Sequence, residues 1–340
     1  MSSPRTTATA FLAFILAGCG APATTQQFRA CDQDFTFSEP NPAHPWTPNA
    51  IQLVSDELAP GVFAIYDADA DQKGPAGIPL ATSGGFVVGD DGVLMVESMI
   101  NRQLFCQAID LIRAETDLPI RYVVNTSSHG DHNFGNSFLP ADVEVVQHEQ
   151  TADFIADHFA DDVAFMEANF GVDQGIGEIK PVAAHIRVPD SGWSVDLGGV
   201  TVEARHHGFA QTPGDLFVHV PAAKVVWTGN AVIGEAPAIP WLLAGNAVAA
   251  ETTLASVRDS LPADTIVVPG HGRPLTPAAM SFGIDYLQAM IAGVRAAVDE
   301  GLDRDATVAA VTLETYQGYA LWDWIHKQVN VPNTHAELSP

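Results

Sequence analysis

The chain has 340 residues, enough for one large α/β domain or two ordinary ones, and 47% are hydrophobic, so a sizeable core is expected and bulk disorder is excluded. Lysine and arginine number 15 against 41 aspartates and glutamates, a formal charge of -26. Such a field repels DNA, RNA and anionic headgroups, which excludes nucleic acid as a partner and reads as a solubilising surface.

Arg5 is the only charge ahead of a short apolar run, Ala10 to Ala17. A bilayer needs about 20 apolar residues, so this run does not span one; it suits the core of a secretory signal. It ends in Leu16-Ala17-Gly18-Cys19, which resembles the bacterial lipobox. The resemblance implies a signal peptide over residues 1–18 and a palmitate-bearing Cys19 as the only membrane attachment. The expected location is the cell envelope, at the outer membrane or periplasmic face. Residues 19–50, with many Ala, Thr, Gln and Pro, read as a tether. Cys31 and Cys106 then remain, either as a disulfide permitted by an oxidising compartment or as two buried thiols.

From Ile51 onward, short apolar runs alternate with amphipathic stretches. Gly85–Val88 and Val93–Val96 flank Gly89-Asp90-Asp91-Gly92, a hairpin signal. Leu104, Ala108, Leu111 and Ile112 recur at helical spacing and predict a helix over 101–116. A strand at Tyr122-Val123-Val124 runs into Asn125-Thr126-Ser127-Ser128-His129-Gly130-Asp131-His132. A strand at 143–146 precedes a helical region over 148–169. A β-rich stretch over 185–228 has turns at Asp190-Ser191-Gly192 and Gly198-Gly199. A helix over 249–260 leads to a strand at 265–268 and then to Pro269-Gly270-His271-Gly272; the tail from Pro277 is helical. Two packed sheets with helices outside satisfy this order, as would a mixed three-layer sandwich.

Two imidazoles and a carboxylate within four residues, His129, Asp131 and His132, sit on a loop leaving a buried strand. Those donors suit zinc and related ions. With Gln211-Thr212-Pro213-Gly214-Asp215, Trp227-Thr228-Gly229-Asn230 and Pro269-Gly270-His271-Gly272 following in order, residues 51–290 resemble the metallo-β-lactamase superfamily. The resemblance implies an α/β fold, a four-layer αββα sandwich over residues 51–300, with a C-terminal helical extension over 301–340.

It also implies a metal site that is partly dismantled. The family signature Thr-His-x-His-x-Asp-His meets Thr126 followed by Ser127, so its first histidine is missing. Gln211 stands where a histidine is usual, Asn230 where an aspartate bridges two metals, and Glu97 at the strand-end acidic position. Ser127, His129 and Gln211 make a poor first zinc site, because neutral oxygens lack the charge and softness that hold zinc. Asp131, His132 and His271 keep the second, with the ligand count of a catalytic zinc. His129 is carried as a further ligand or, freed from the first metal, as a base. Gln211 and Asn230 are expected to donate to a carbonyl or oxyanion. A mono-zinc subclass of the superfamily gives precedent, although it keeps a thiolate where Asn230 stands here.

The expectation is one Zn²⁺, with iron as an alternative, and hydrolysis of a small ester, lactone, thioester or amide outside the cytoplasm by activated water. The competing reading is an inactive binding or envelope-associated protein of the same fold. His206 and His207 are expected at the surface or behind the site rather than in it. Pocket walls are expected from residues 66–83 and 229–248.

Overall fold

A computed structural model describes residues 26–340. The expected signal peptide and Cys19 lie outside the described residues. Among these residues, twelve strands form two sheets. The first takes its strands in sequence order: β1 (Leu53–Ala59), β2 (Val62–Asp67), β3 (Gly84–Gly89), β4 (Gly92–Val96), β5 (Ile120–Val124), β6 (Glu144–His148) and β7 (Ile186–Val188). The second comprises β8 (Trp193–Asp196), β9 (Thr201–Arg205), β10 (Phe217–Val220), β11 (Val225–Gly229) and β12 (Ile266–Pro269), in the spatial order β12-β11-β10-β9-β8.

Alternation of side chains along each strand makes the layers. On β2, Val62 and Ala64 face the second sheet, while Phe63 and Ile65 face the opposite way. Val225 and Trp227 on β11 face inward; Val226 faces out. Both faces of these strands are buried, so the sequence reads as apolar runs rather than alternation. Outside the first sheet packs the helix Arg102–Glu115; outside the second pack Ala247–Ser260 and Ser281–Asp299. The result is the αββα sandwich expected. The two sheets are pinned by Trp227, whose Nε1 donates to the Gly84 carbonyl at 2.9 Å across the interior. A Cβ on Gly85 would stand 2.6 Å from that Nε1, so the close approach requires glycine there.

The predicted hairpin joins β3 to β4 with Gly89 opposite Gly92. The predicted first helix runs Arg102–Glu115, capped by Asn101, whose Oδ1 accepts from Leu104 N at 3.0 Å. The turn at 190–192 does not fold a hairpin: β7 and β8 lie in different sheets, and the turn carries the chain between them.

The tether reading fails for residues 26–50. Phe28 and Trp46 are buried in the core behind the first sheet, and Cys31 is joined to Cys106 on the helix Arg102–Glu115, 75 residues apart. Apolar anchors spaced among Pro and Asn do not show as a pattern in the sequence. Closing a loop of this length stabilises the fold by about 4 kcal/mol on chain-entropy grounds. At the other end, Trp322, Ile325 and Val331 of residues 301–340 pack into the core behind the second sheet. Among the described residues no helix is long and apolar enough to cross a membrane.

Strands β4 and β5 run parallel, as do β11 and β12. The C-terminal ends of each pair share one edge of their sheet, and contacts such as the bridge from Thr82 to His271 bring the two edges together. Glu97, the 125–133 loop, Asn230 and His271 each follow one of these ends.

Candidate metal centre

The loop leaving β5 is held tightly before it reaches its first imidazole. Asn125 Nδ2 donates to the His132 carbonyl at 3.0 Å, and its Oδ1 accepts from Asn136 and Gln147 at 2.7 and 2.9 Å. Asn133 Nδ2 donates to the carbonyls of Ser128 and His129, at 2.9 and 2.7 Å. One helical turn, Gly130–Asn133, then aims Asp131 and His132 inward. Behind them, a Cβ on Gly229 would lie 1.8 Å from Thr126 Oγ1, and its φ of +50° falls in the left-handed region, so this strand end needs glycine twice over.

Asp131, His132 and His271 offer ligand atoms within 4.8 Å of one another, all buried. Asp131 Oδ2 lies 3.5 Å from His132 Nε2 and 3.6 Å from His271 Nε2. Neither Nε2 has a hydrogen-bond partner. A buried imidazole nitrogen left unpaired costs of the order of 1–3 kcal/mol; two converging on one carboxylate oxygen form a cage suited to a divalent cation. The donor set and the orphaned nitrogens fit zinc or iron.

Each ligand is oriented from behind. Thr82 Oγ1 donates to Asp131 Oδ2 at 2.6 Å. His271 Nδ1 lies 2.9 Å from the Leu80 carbonyl, which fixes that proton on Nδ1 and leaves Nε2 as the ligand. His132 Nδ1 stands 3.1 Å from Glu97 Oε1, near enough for an ion pair. Glu97 is held by the Thr126 hydroxyl and sits at φ +64°, left-handed backbone that costs a side-chain-bearing residue about 1–2 kcal/mol. Thr82 and the Leu80 carbonyl had no signal in the sequence: their role comes from a short bridge between Thr82 and His271, residues far apart along the chain.

Electrostatics separate the three histidines. Burial disfavours the cation on all of them. At His132 this is outweighed by Asp131 and Glu97, which push the imidazole up to about 9. At His271 burial prevails and lowers it to about 4; at His129 it does the same, to about 4. Burial would raise Asp131, but His132, His271 and the Thr82 hydroxyl hold it below the usual carboxylate range.

His129 stands outside the three-residue group. Its Nδ1 is 3.3 Å from Asn230 Nδ2, so the Asn230 amide spends its donor on the imidazole, while Asn230 Oδ1 is buried without a partner. Ser127 Oγ and both polar atoms of the Gln211 side chain are likewise buried and unpartnered. The Gln211 loop is drawn in by Asp215, whose Oδ2 accepts from Gln211 N at 2.6 Å and Thr212 N at 2.8 Å. The same loop is tied to the β5 loop through Leu216 N and the Thr126 carbonyl, at 2.9 Å.

His206 and His207 do not compensate for Gln211. His206 stacks on His148, with ring centroids 4.5 Å apart, and bonds the Asp215 carbonyl; His207 faces His219. The pocket above His129, about 330 Å³, takes Leu243 from the expected 229–248 segment. Most of its wall is instead the helix Glu149–Phe170, through Phe154, His158, Asp161, Asp162 and Phe165. The i, i+4, i+7, i+8, i+11 spacing of those five residues marks one helix face and was legible in the sequence. Segment 66–83 supplies Thr82 and the Leu80 carbonyl behind the ligands, and its Ile78, Pro79 and Leu80 meet Ile233, Gly234 and Ala238 of the other expected segment around a small pocket against His271.

Two sheets between helix layers, with ligands at strand ends, define a metallo-hydrolase-type fold. The model of the metallo-beta-lactamase superfamily matches residues 77–271, and the chain belongs to that family. Among solved structures it is similar to a metallo-beta-lactamase from Pontibacter korlensis, at 17% identity and a TM-score of 0.52, covering 70% of this chain and 99% of that one. It is also similar to a stereoselective inverting sec-alkylsulfatase from Pseudomonas sp., at 16% identity and a TM-score of 0.60, covering 86% of this chain and half of that one. At these identities the likeness is one of fold. No curated protein is similar enough in sequence to count as a match.

Proposed function

We propose that the chain is a metal-dependent hydrolase of a small ester, lactone, thioester or amide, working with one zinc ion and located outside the cytoplasm on a lipid anchor at Cys19. The observation that carries the reading is the pair of unpartnered nitrogens, His132 Nε2 and His271 Nε2, turned to Asp131 Oδ2. Asp131, His132 and His271 would hold the ion. Bound there, it supplies a positive charge that polarises a carbonyl and acidifies water.

The protein's own groups complete the chemistry. With Asn230 Nδ2 donating to Nδ1, neutral His129 carries its proton on Nε2 and hydrogen-bonds a substrate oxygen in the pocket. Turning the Asn230 amide over reverses this: Nδ1 then donates to Oδ1, and Nε2 accepts a proton as a base. Gln211, buried with a free amide, adds a neutral donor. Trp241, whose ring centroid lies 5.3 Å from that of His271, keeps bulk water from the ligand.

Elemental analysis of purified protein tests this reading together with hydrolysis of an ester and lactone panel. One ion per chain and activity abolished by chelation are expected. Absence of zinc, iron and manganese, with any activity surviving chelation, overturns it. The neutral side chains at Ser127, Gln211 and Asn230 support a second reading, a binder of the same fold, for which metal would bind without turnover of any member of the panel.

A further inference from the structure

The pocket above His129 has a composition that selects by charge. One face of the helix Glu149–Phe170 presents Phe154, His158, Asp161, Asp162 and Phe165, and Leu243 adds to the lining. None of the residues lining it is Lys or Arg. Phe154 and Phe165 are 43% and 39% exposed, large apolar surfaces left in water at the mouth of a site. Phe165 approaches Trp324 at 6.4 Å, Trp324 approaches Trp241 at 6.3 Å, and Trp241 lies over His271. An aromatic path thus runs from the mouth to the ligand cage. Asp162 sits beside Gly130, where burial and then the charge of Asp131 push its carboxyl up to about 7, while Asp161 stands outermost as a charged, exposed carboxylate. The formal charge of -26 adds a long-range field of the same sign.

We infer that this site takes apolar-bodied substrates in the order cationic, then neutral, then anionic, and that anions such as carboxylate-bearing lactams and alkyl sulfates are turned away at the mouth. The apolar body covers Phe154 and Phe165. A positive head lies against Asp161 and favours the ionised form of Asp162, whereas an anion meets the Asp161 charge with no lysine or arginine to receive it. Calling these molecules substrates rests on the hydrolase reading; the order of binding does not.

The test uses three non-hydrolysable probes with one tail: 4-phenylbutylamine, 4-phenylbutanol and 4-phenylbutyrate. Each is titrated against the intact protein at low ionic strength by calorimetry. The amine is expected to bind at least tenfold more tightly than the acid, with the alcohol between them, and the gap is expected to narrow in 0.5 M salt. D161N, an exposed substitution that leaves the fold undisturbed, reduces the gap, and F154A weakens all three probes. Equal or tighter binding of the acid, or indifference of every probe to F154A, overturns the inference. Kinetics separate the two claims. Binding in the expected order without turnover removes the hydrolase and leaves the pocket; preferential turnover of anionic esters does the reverse.

Discussion

Among the described residues, two groups combine two imidazoles with one carboxylate, and their nitrogens are employed differently. In the group of His148, Asp190 and His206, His148 Nδ1 accepts from Gln150 N at 3.2 Å and caps the helix Glu149–Phe170, while Nε2 donates to Asp190 at 3.1 Å. His206 Nδ1 lies 3.0 Å from the Asp215 carbonyl. Both nitrogens of His148 are spent, so an ion there would have to displace the hydrogen bond to Asp190 or break the cap. In the group of Asp131, His132 and His271, two buried Nε2 atoms have no partner. Proximity of ligand types is common to both. Unmet hydrogen-bonding capacity in a buried place distinguishes a site prepared for a cation from a satisfied cluster.

Removing a ligand should separate the groups most sharply. His271→Ala and Asp131→Ala are expected to lose the ion and to lower hydrolysis by about 10³-fold or more, whereas His206→Ala keeps one ion per chain; elemental analysis and kinetics report both. Metal retention in His271→Ala with loss in His206→Ala would invert the comparison.

Protons should compete with the ion at the first group only. His132 is raised from 6.5 to about 9 in the metal-free protein, so its proton must leave for the ion to bind. Apparent affinity is expected to rise about tenfold per pH unit towards pH 9 and then level, read by competition with a zinc indicator. The linked stability has the opposite sense. A raised histidine contributes in full below pH 6.5, and that contribution fades as the pH climbs through about 9, so the metal-free protein should melt earlier there than its His132→Gln variant's pH trend implies.

The supporting contacts come next in size. Thr82→Val removes the hydroxyl that donates to Asp131 Oδ2 and should weaken metal binding about 10–100-fold with the fold intact. The smallest effect belongs to the satisfied cluster. His148→Ala loses a helix cap, and the urea midpoint should report about 1 kcal/mol of destabilisation with metal content unchanged.

Much of this architecture was legible in the residues. The Gly-Asp-Asp-Gly hairpin, the helix over Arg102–Glu115 and the strands leading to His129 and His271 are local events, governed by turn chemistry and hydrophobic period. The packed segment from residue 26 to 50 was not legible, because Phe28 and Trp46 acquire their meaning only from the core they enter. Nor was the separation of His129 from the ligand group: two residues from Asp131, it turns its Nδ1 to Asn230.

Sequence alone determined which ligand types survive and that they follow strand ends, since residue identity and local pattern settle both. Only the tertiary structure decided that Asp131, His132 and His271 meet, because strands β5 and β12 lie in different sheets and their ends are brought together by packing the sandwich. It also decided that Thr82 and the Leu80 carbonyl aim those ligands, and that a helix face carrying Asp161 and Asp162 lines the pocket above His129. Contacts of this kind depend on distances through space between groups remote along the chain, which no local pattern encodes.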